Sequence, residues 1–275
     1  MRGDQLRIVV CIKPVPDPAC WEKLELDEET MLLNRSKIPA VINPLDLNAI
    51  EQALAIKEKA GRRGRVEVAV LTMAPPEAED ELREALAMGC DYAYLASDRA
   101  MAGADTLATA RCLTAAIKKI GQFDLIFCGA YSADGSTAQV GPQVAELLDV
   151  PDLTHVVSLE IEGAALRALS RVEDGEILSE CELPALVTLD REANRPRLPL
   201  MSGIRRARGL PVVSWNLADL GLAAGEVGLA GSPTRMLNMY TRTQGRKGEM
   251  LAGSPAETAD RLVEKLVRER LIEGA

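Results

Sequence analysis

The stretch from Phe123 to Leu148, FDLIFCGAYSADGSTAQVGPQVAELL, constrains the fold more than any other part of the chain. Phe123 to Cys128 is an apolar run broken only by Asp124, too short for an ordinary helix and suited to a strand buried on both faces of a parallel sheet. Val140, Val144, Leu147 and Leu148 then fall at i, i+4, i+7 and i+8, so the helix that follows lays one face on that sheet. Between them, Ala130 to Thr137 is rich in Gly, Ser, Asp and Thr. A helix opening at the carboxyl edge of a strand presents unpaired N–H groups and the positive end of its dipole, which favour an anion such as phosphate. Pro142 donates no N–H, so the helix starts near Gln139, or at Thr137 with an irregular first turn. The plainer reading makes Gly135 a turn residue, Thr137 an N-cap and Gln139 a solvated side chain.

A chain of 275 residues with 47% hydrophobic content can bury a sizeable core as one large or two unequal domains. An aromatic content of 3% and a net charge of −9 argue against a nucleic-acid surface. The six cysteines form no CxxC pair, and one histidine, His155, stands among valines in an expected strand, so neither a metal centre nor a Ser-His-Asp site is indicated. The run Ile8 to Ile12 is cut by Lys13 and two prolines, far short of a signal peptide or a membrane span. The expected location is cytoplasmic, with reduced thiols.

Strands are expected at Arg7 to Ile12, Arg65 to Thr72, Tyr92 to Ala96 and the run ending at Cys128. Helices are expected after Asn43-Pro44, over Glu77 to Met88 and over Gly103 to Ile120. Asn43 is read as a cap, Pro14 and Pro16 as precluding regular structure, and Asp27 to Thr30 as the turn of a short hairpin. The alternation gives an α/β fold, a parallel-core twisted sheet with helices on both faces. After Pro151 come four strands with a hairpin turn at Asp174-Gly175, then an exposed loop at Asn194 to Arg197 and a short basic helix over Ser202 to Arg208. Residues 1–208 are thus expected as the α/β nucleotide-binding domain. Residues 209–275 lose periodicity until a terminal helix capped by Ser254, Pro255 and Glu257, and are expected as an extended arm whose helix packs on a partner subunit, the plainer reading being an arm that folds back on its own domain.

Several blocks together resemble the β subunit of electron transfer flavoproteins over nearly the whole chain. They are VVCIKPVPD, NPLDLNAIEQALAIKE, ALAMGCDYA, DGSTAQVGPQVAE, and RVEDGEILSECELPALVTL followed by NRPRLPLMSGIRRAR. The resemblance implies a Rossmann-like sheet of the adenine nucleotide alpha hydrolase kind and a heterodimer with an α subunit that carries FAD. It implies electron transfer between dehydrogenases, such as acyl-CoA dehydrogenase, and other redox proteins. It places the nucleotide on Cys11; Asn43, Pro44, Leu45 and Asp46; Met73; Gly129; and Asp134, Gly135, Ser136, Thr137, Ala138, Gln139, Val140, Gly141 and Val144. One form of the family holds AMP there; the other holds a second FAD that splits the electron pair of NADH. The loop Asp134 to Pro142 and the tail residues Gly231 to Thr234 and Arg246 to Met250 resemble the second form, so FAD is the expected cofactor and AMP the alternative. Ser136 departs from that form's acidic residue, Ala130-Tyr131-Ser132 from its Arg-Gln-Ala, and Ala193 from the leucine with which respiratory members dock dehydrogenases. No side chain is an evident acid, base or nucleophile; the implied redox activity belongs to the whole complex. Two rivals are a non-redox nucleotide-binding regulator and an ATP-dependent ligase-like enzyme. The latter expects an SGGxDS loop where Lys13-Pro14-Val15-Pro16 stands.

Overall fold

The computed structural model describes residues 5–23, 25–26, 33–34, 38–61, 65–235 and 248–272. They fall in two units, residues 1–237 and 238–275. The strands are β1 (Gln5–Cys11), β2 (Pro14–Pro16), β3 (Glu25–Leu26), β4 (Leu33–Asn34), β5 (Ala40–Ile42), β6 (Arg65–Met73), β7 (Tyr92–Ala96), β8 (Leu125–Gly129), β9 (Asp152–Glu162), β10 (Ala165–Val172), β11 (Gly175–Glu182), β12 (Ala185–Leu189) and β13 (Val212–Trp215). The helices are α1 (Pro44–Ala60), α2 (Glu79–Met88), α3 (Thr106–Ile120), α4 (Val140–Leu148), α5 (Met201–Ala207), α6 (Gly228–Gly231) and α7 (Pro255–Arg268). Among the described residues no helix is long and apolar enough to cross a membrane.

Nine strands form one sheet in the order β11-β10-β9-β12-β8-β1-β6-β7-β13, parallel from β9 through β13 and antiparallel across β9, β10 and β11. Because side chains alternate along a strand, β1 feeds both faces. Ile8 and Val10 pack with Ile50 of α1 and Leu82 of α2; Val9 and Cys11 pack with Leu113 of α3 and Val144 of α4. Asp124, the one polar break before β8, accepts a hydrogen bond from the Arg7 N–H at 2.7 Å and fixes β8 beside β1.

From β1 the chain steps to β6 and β7 on one side, then returns through α3 to place β8 on the other. The order reverses between β1 and β8, and the crevice beyond the carboxyl ends of two such strands is where open α/β sheets bind ligands.

Three expectations change. Pro14 and Pro16 do not preclude structure: β2 pairs antiparallel with β5, and its ladder uses the N–H groups of Asp17 and Asn43, to Pro39 and Lys13 carbonyls. The prolines therefore fall at positions whose N–H would point away from the partner. α3 starts at Thr106 rather than Gly103, because Asp105 caps it by accepting from the Ala108 N–H at 3.0 Å. The loop around Arg197 is tied down, with that guanidinium at 2.7 Å from Glu51 and also paired with Glu58. β3 and β4 do pair antiparallel, while the expected turn Asp27 to Thr30 lies outside the described residues.

The first part of the stretch read as an arm lies on the α/β unit. Val212–Trp215 pairs in parallel with β7, and Leu220 and Val227 are buried in the α3 and α4 side of the core. In the second unit, α7 has the expected capping box of Ser254 and Glu257. Leu262, Val263 and Val267 stand exposed along it.

Candidate functional site

Asp46 is the keystone of the crevice. It sits in the first turn of α1, which Pro44 starts, and its side chain is buried. One carboxylate oxygen accepts from the Lys13 N–H at 2.7 Å, just past β1; the other accepts from the Gly129 N–H at 2.9 Å, the last residue of β8. Asn43 donates to the same carboxylate at 3.1 Å. Burial raises Asp46 to about 6, against the opposing pull of these three donors and of the Lys13 charge. The approach is so close that a Cβ on Gly129 would stand 2.5 Å from the Asp46 Oδ1 and 2.7 Å from the Leu45 Cβ. Only glycine fits there.

Asn43 does not cap α1 with its side chain. It reaches across instead, donating to the Tyr131 carbonyl at 2.9 Å and accepting from the Ala133 N–H at 3.0 Å. This braces the start of the β8–α4 loop. Lys13 crosses the crevice, its ammonium 2.6 Å from Asp134 Oδ1 and 3.2 Å from Ser132 Oγ.

The loop then turns tightly, with the Ser136 N–H donating to the Ser132 carbonyl at 2.8 Å. Ser136 and Ala138 hold φ of 48° and 55°. Left-handed backbone costs a non-glycine residue about 1 kcal/mol and gathers at functional sites. A left-handed residue followed by a right-handed one, as Ala138 is by Gln139 at φ −97° and ψ −28°, is the backbone pairing that makes an anion-binding concavity. Gly135, Ser136, Thr137 and Gln139 are exposed. α4 starts at Val140, and Gln139 gives no side-chain cap, so its first amides lack intrahelical acceptors. Thr137 is therefore neither N-cap nor helical. Gly141 lets α4 approach β12, since a Cβ there would lie 2.6 Å from the Thr188 Cγ2. Val144 packs on the sheet beneath.

Cys11 ends β1, and Cys128 is the penultimate residue of the adjacent strand β8, both at the carboxyl edge of the sheet. A hydrogen bond with the Cys11 thiol, and then burial, push the Cys128 thiol above its ordinary range, which makes it a quiet packing group rather than a nucleophile. Met73 ends β6, next to β1 on the side away from β8. The Thr106 hydroxyl at the start of α3 donates to the Gln139 Oε1 at 3.0 Å, and the neighbouring Asp105 binds Ser232 and Thr234. The tail residues Ser232 and Thr234 are thus bound to the residue that precedes the partner of Gln139. Arg246 and Lys247 lie outside the described residues. His155 is a strand residue at φ 52°, its Nδ1 3.2 Å from Asp190 Oδ2.

The residues present fit the phosphates of a nucleotide. The loop offers bare backbone at Gly135, left-handed backbone at Ser136 and Ala138 and the uncapped first turn of α4, with a lysine at its side. The loop and the helix start are legible in the sequence; the roles of Lys13, Ser132 and the brace made by Asn43 are not, although a cation directly after the first strand, at the carboxyl edge, is a signal for Lys13.

An electron transfer flavoprotein domain matches residues 30–220. The electron transfer flavoprotein subunit beta of Thermoanaerobacterium thermosaccharolyticum is 45% identical over 95% of this chain and 98% of its own length. The caffeyl-CoA reductase-Etf complex subunit CarD of Acetobacterium woodii is 41% identical over 97% of this chain and 100% of its own. Protein FixA of Azorhizobium caulinodans is 38% identical over 96% and 94%. With the domain covering most of the chain and relatives of this identity aligning end to end, the chain belongs to the electron transfer flavoprotein family, as one of its β subunits.

Proposed function

We propose that this β subunit carries FAD, rather than AMP, in the crevice between β1 and β8, and that with an α subunit it takes electrons from NADH for transfer to other redox proteins. The observation that carries the reading is the Asp134 to Pro142 loop: left-handed backbone at Ser136 and Ala138 ahead of the uncapped start of α4, and one carboxylate, Asp134, between Gly129 and Gly141. A loop with more acids would oppose a diphosphate at short range; Gly135 and Ser136 bring none. The chemistry a flavin supplies when bound is acceptance of a hydride and release of single electrons. This chain's own residues hold phosphate through amides and the Thr137 hydroxyl, set the floor with Cys11 and Cys128, and keep the loops in place through Asp46 and Asn43.

The name of the relative in a caffeyl-CoA reductase-Etf complex supports a reductase or dehydrogenase of CoA thioesters as a redox partner. The exposed apolar stripe of α7 supports residues 238–275 as an arm that embraces the α subunit. Six free thiols suit a reducing cytoplasm. Gly135→Val tests the site. A Cβ at Gly135 would already lie 3.2 Å from the Ser132 Oγ, and the branched side chain would cover the backbone. The variant should purify with less than a tenth of the wild-type nucleotide, measured by chromatography after denaturation. Unchanged nucleotide content would sink the assignment of the loop.

A further inference from the structure

The loop meant to hold an anion carries a carboxylate of its own, and the structure shows how that conflict is resolved. Asp134 is the one charged residue between Gly129 and Gly141. Its side chain is 6% exposed, and it is paired at 2.6 Å with Lys13, whose side chain is 42% exposed. The acid is covered and the cation stands at the mouth. Two constraints hold it there: the Lys13 N–H is bound by buried Asp46, and the ammonium is bound by Ser132 as well as Asp134. An ammonium has three N–H donors, and among the described residues Asp134 and Ser132 use two. A Cβ on Gly135 would stand 3.8 Å from the Lys13 Nζ, so the ammonium lies beside the bare backbone of the turn. Lys13 comes from the loop after β1, across the switch point, so a ligand in the crevice meets a cation on one wall and backbone amides on the other.

Resting on the nucleotide reading above, we propose that Lys13 is a phosphate-binding residue of this site, with Asp134 as the group that aims it. Its third donor makes a charge-assisted bond to the phosphate while the pair with Asp134 stays in place. A phosphate then meets a neutralised loop instead of a bare carboxylate, and the lysine reads the charged part of the ligand, not the adenine.

The test is equilibrium binding to the full-length chain stripped of nucleotide, with ADP as probe and adenosine as control. Lys13→Met should weaken ADP about 10- to 100-fold, the loss of one hydrogen bond to a charged group, and change adenosine by less than about 3-fold. Lys13→Arg keeps the charge and should hold ADP within about 5-fold of wild type. Urea unfolding of each variant checks that the fold survives. If Lys13→Met weakens ADP and adenosine equally, the lysine only props the loop, and the proposal fails while the nucleotide site stands. If wild type binds neither probe, the nucleotide reading itself fails and takes this inference with it.

Discussion

Replacing Gly129 by alanine should damage this protein far beyond the size of one methyl group. The added carbon would stand 2.5 Å from the Asp46 Oδ1, 2.7 Å from the Leu45 Cβ and 2.9 Å from the Leu45 carbonyl carbon. None of the three can swing aside: the Asp46 oxygen is held by the Gly129 N–H at 2.9 Å, and Leu45 belongs to the first turn of α1. Moving α1 away costs about 1–3 kcal/mol as overpacking, and breaking the charge-assisted bond about 1.5–3 kcal/mol more. The stiffer unfolded chain gives back about 0.4–1 kcal/mol. The net loss is about 2–5 kcal/mol, a fall in melting temperature of roughly 5–15 °C for a unit of this size. Thermal unfolding followed by far-ultraviolet circular dichroism measures it. Gly225→Ala, where a Cβ meets open space, is the control and should change stability by less than about 0.5 kcal/mol. If Gly129→Ala melts with wild type, the close approach of α1 to β8 is not as described, and the reasoning built on it fails.

Asp46 gives a pH dependence of definite sign. Burial raises its folded value from 3.8 to about 6, so between those values the folded protein binds the proton more tightly than the unfolded chain does. The stability this group contributes is full below 3.8 and is lost as pH rises through about 6, a change on the order of 3 kcal/mol. Asp46→Asn removes the titration. The unfolding free energy of wild type relative to this variant should therefore shrink by that order from pH 4 to pH 7, and a gap that widens with pH overturns the account. Deleting the chain from Gly253 onward removes the exposed apolar stripe of α7 and should weaken α-subunit association by more than about tenfold, with the circular dichroism of the α/β unit unchanged. Undiminished association would refute the arm.

Much of the fold was legible because strand and helix periods alternate cleanly from Arg7 to Leu148, and each buried face carries its own apolar set. What was not legible depended on partners far along the chain. Asn43 before Pro44 reads as a cap, yet its side chain serves Tyr131 and Ala133, 88 and 90 residues away. Arg197 reads as part of an exposed loop, but two glutamates of α1 hold it. Val212–Trp215 is a half-exposed edge strand, so it lacks the apolar run that marks the central strands, and its sequence does not set it apart from the arm. In the site, the loop proposed to hold phosphate is legible from its glycines and hydroxyls. The left-handed backbone at Ser136 and Ala138 is not, because neither residue type favours it.

The central claim concerns which nucleotide this subunit carries, and the most direct measurement is the nucleotide content of the purified heterodimer reconstituted with excess FAD. After denaturation and chromatography, the account predicts two FAD per heterodimer, with reduction of the β-subunit flavin by NADH seen in the visible spectrum. One FAD and one AMP per heterodimer, with no flavin reduced by NADH, would contradict it.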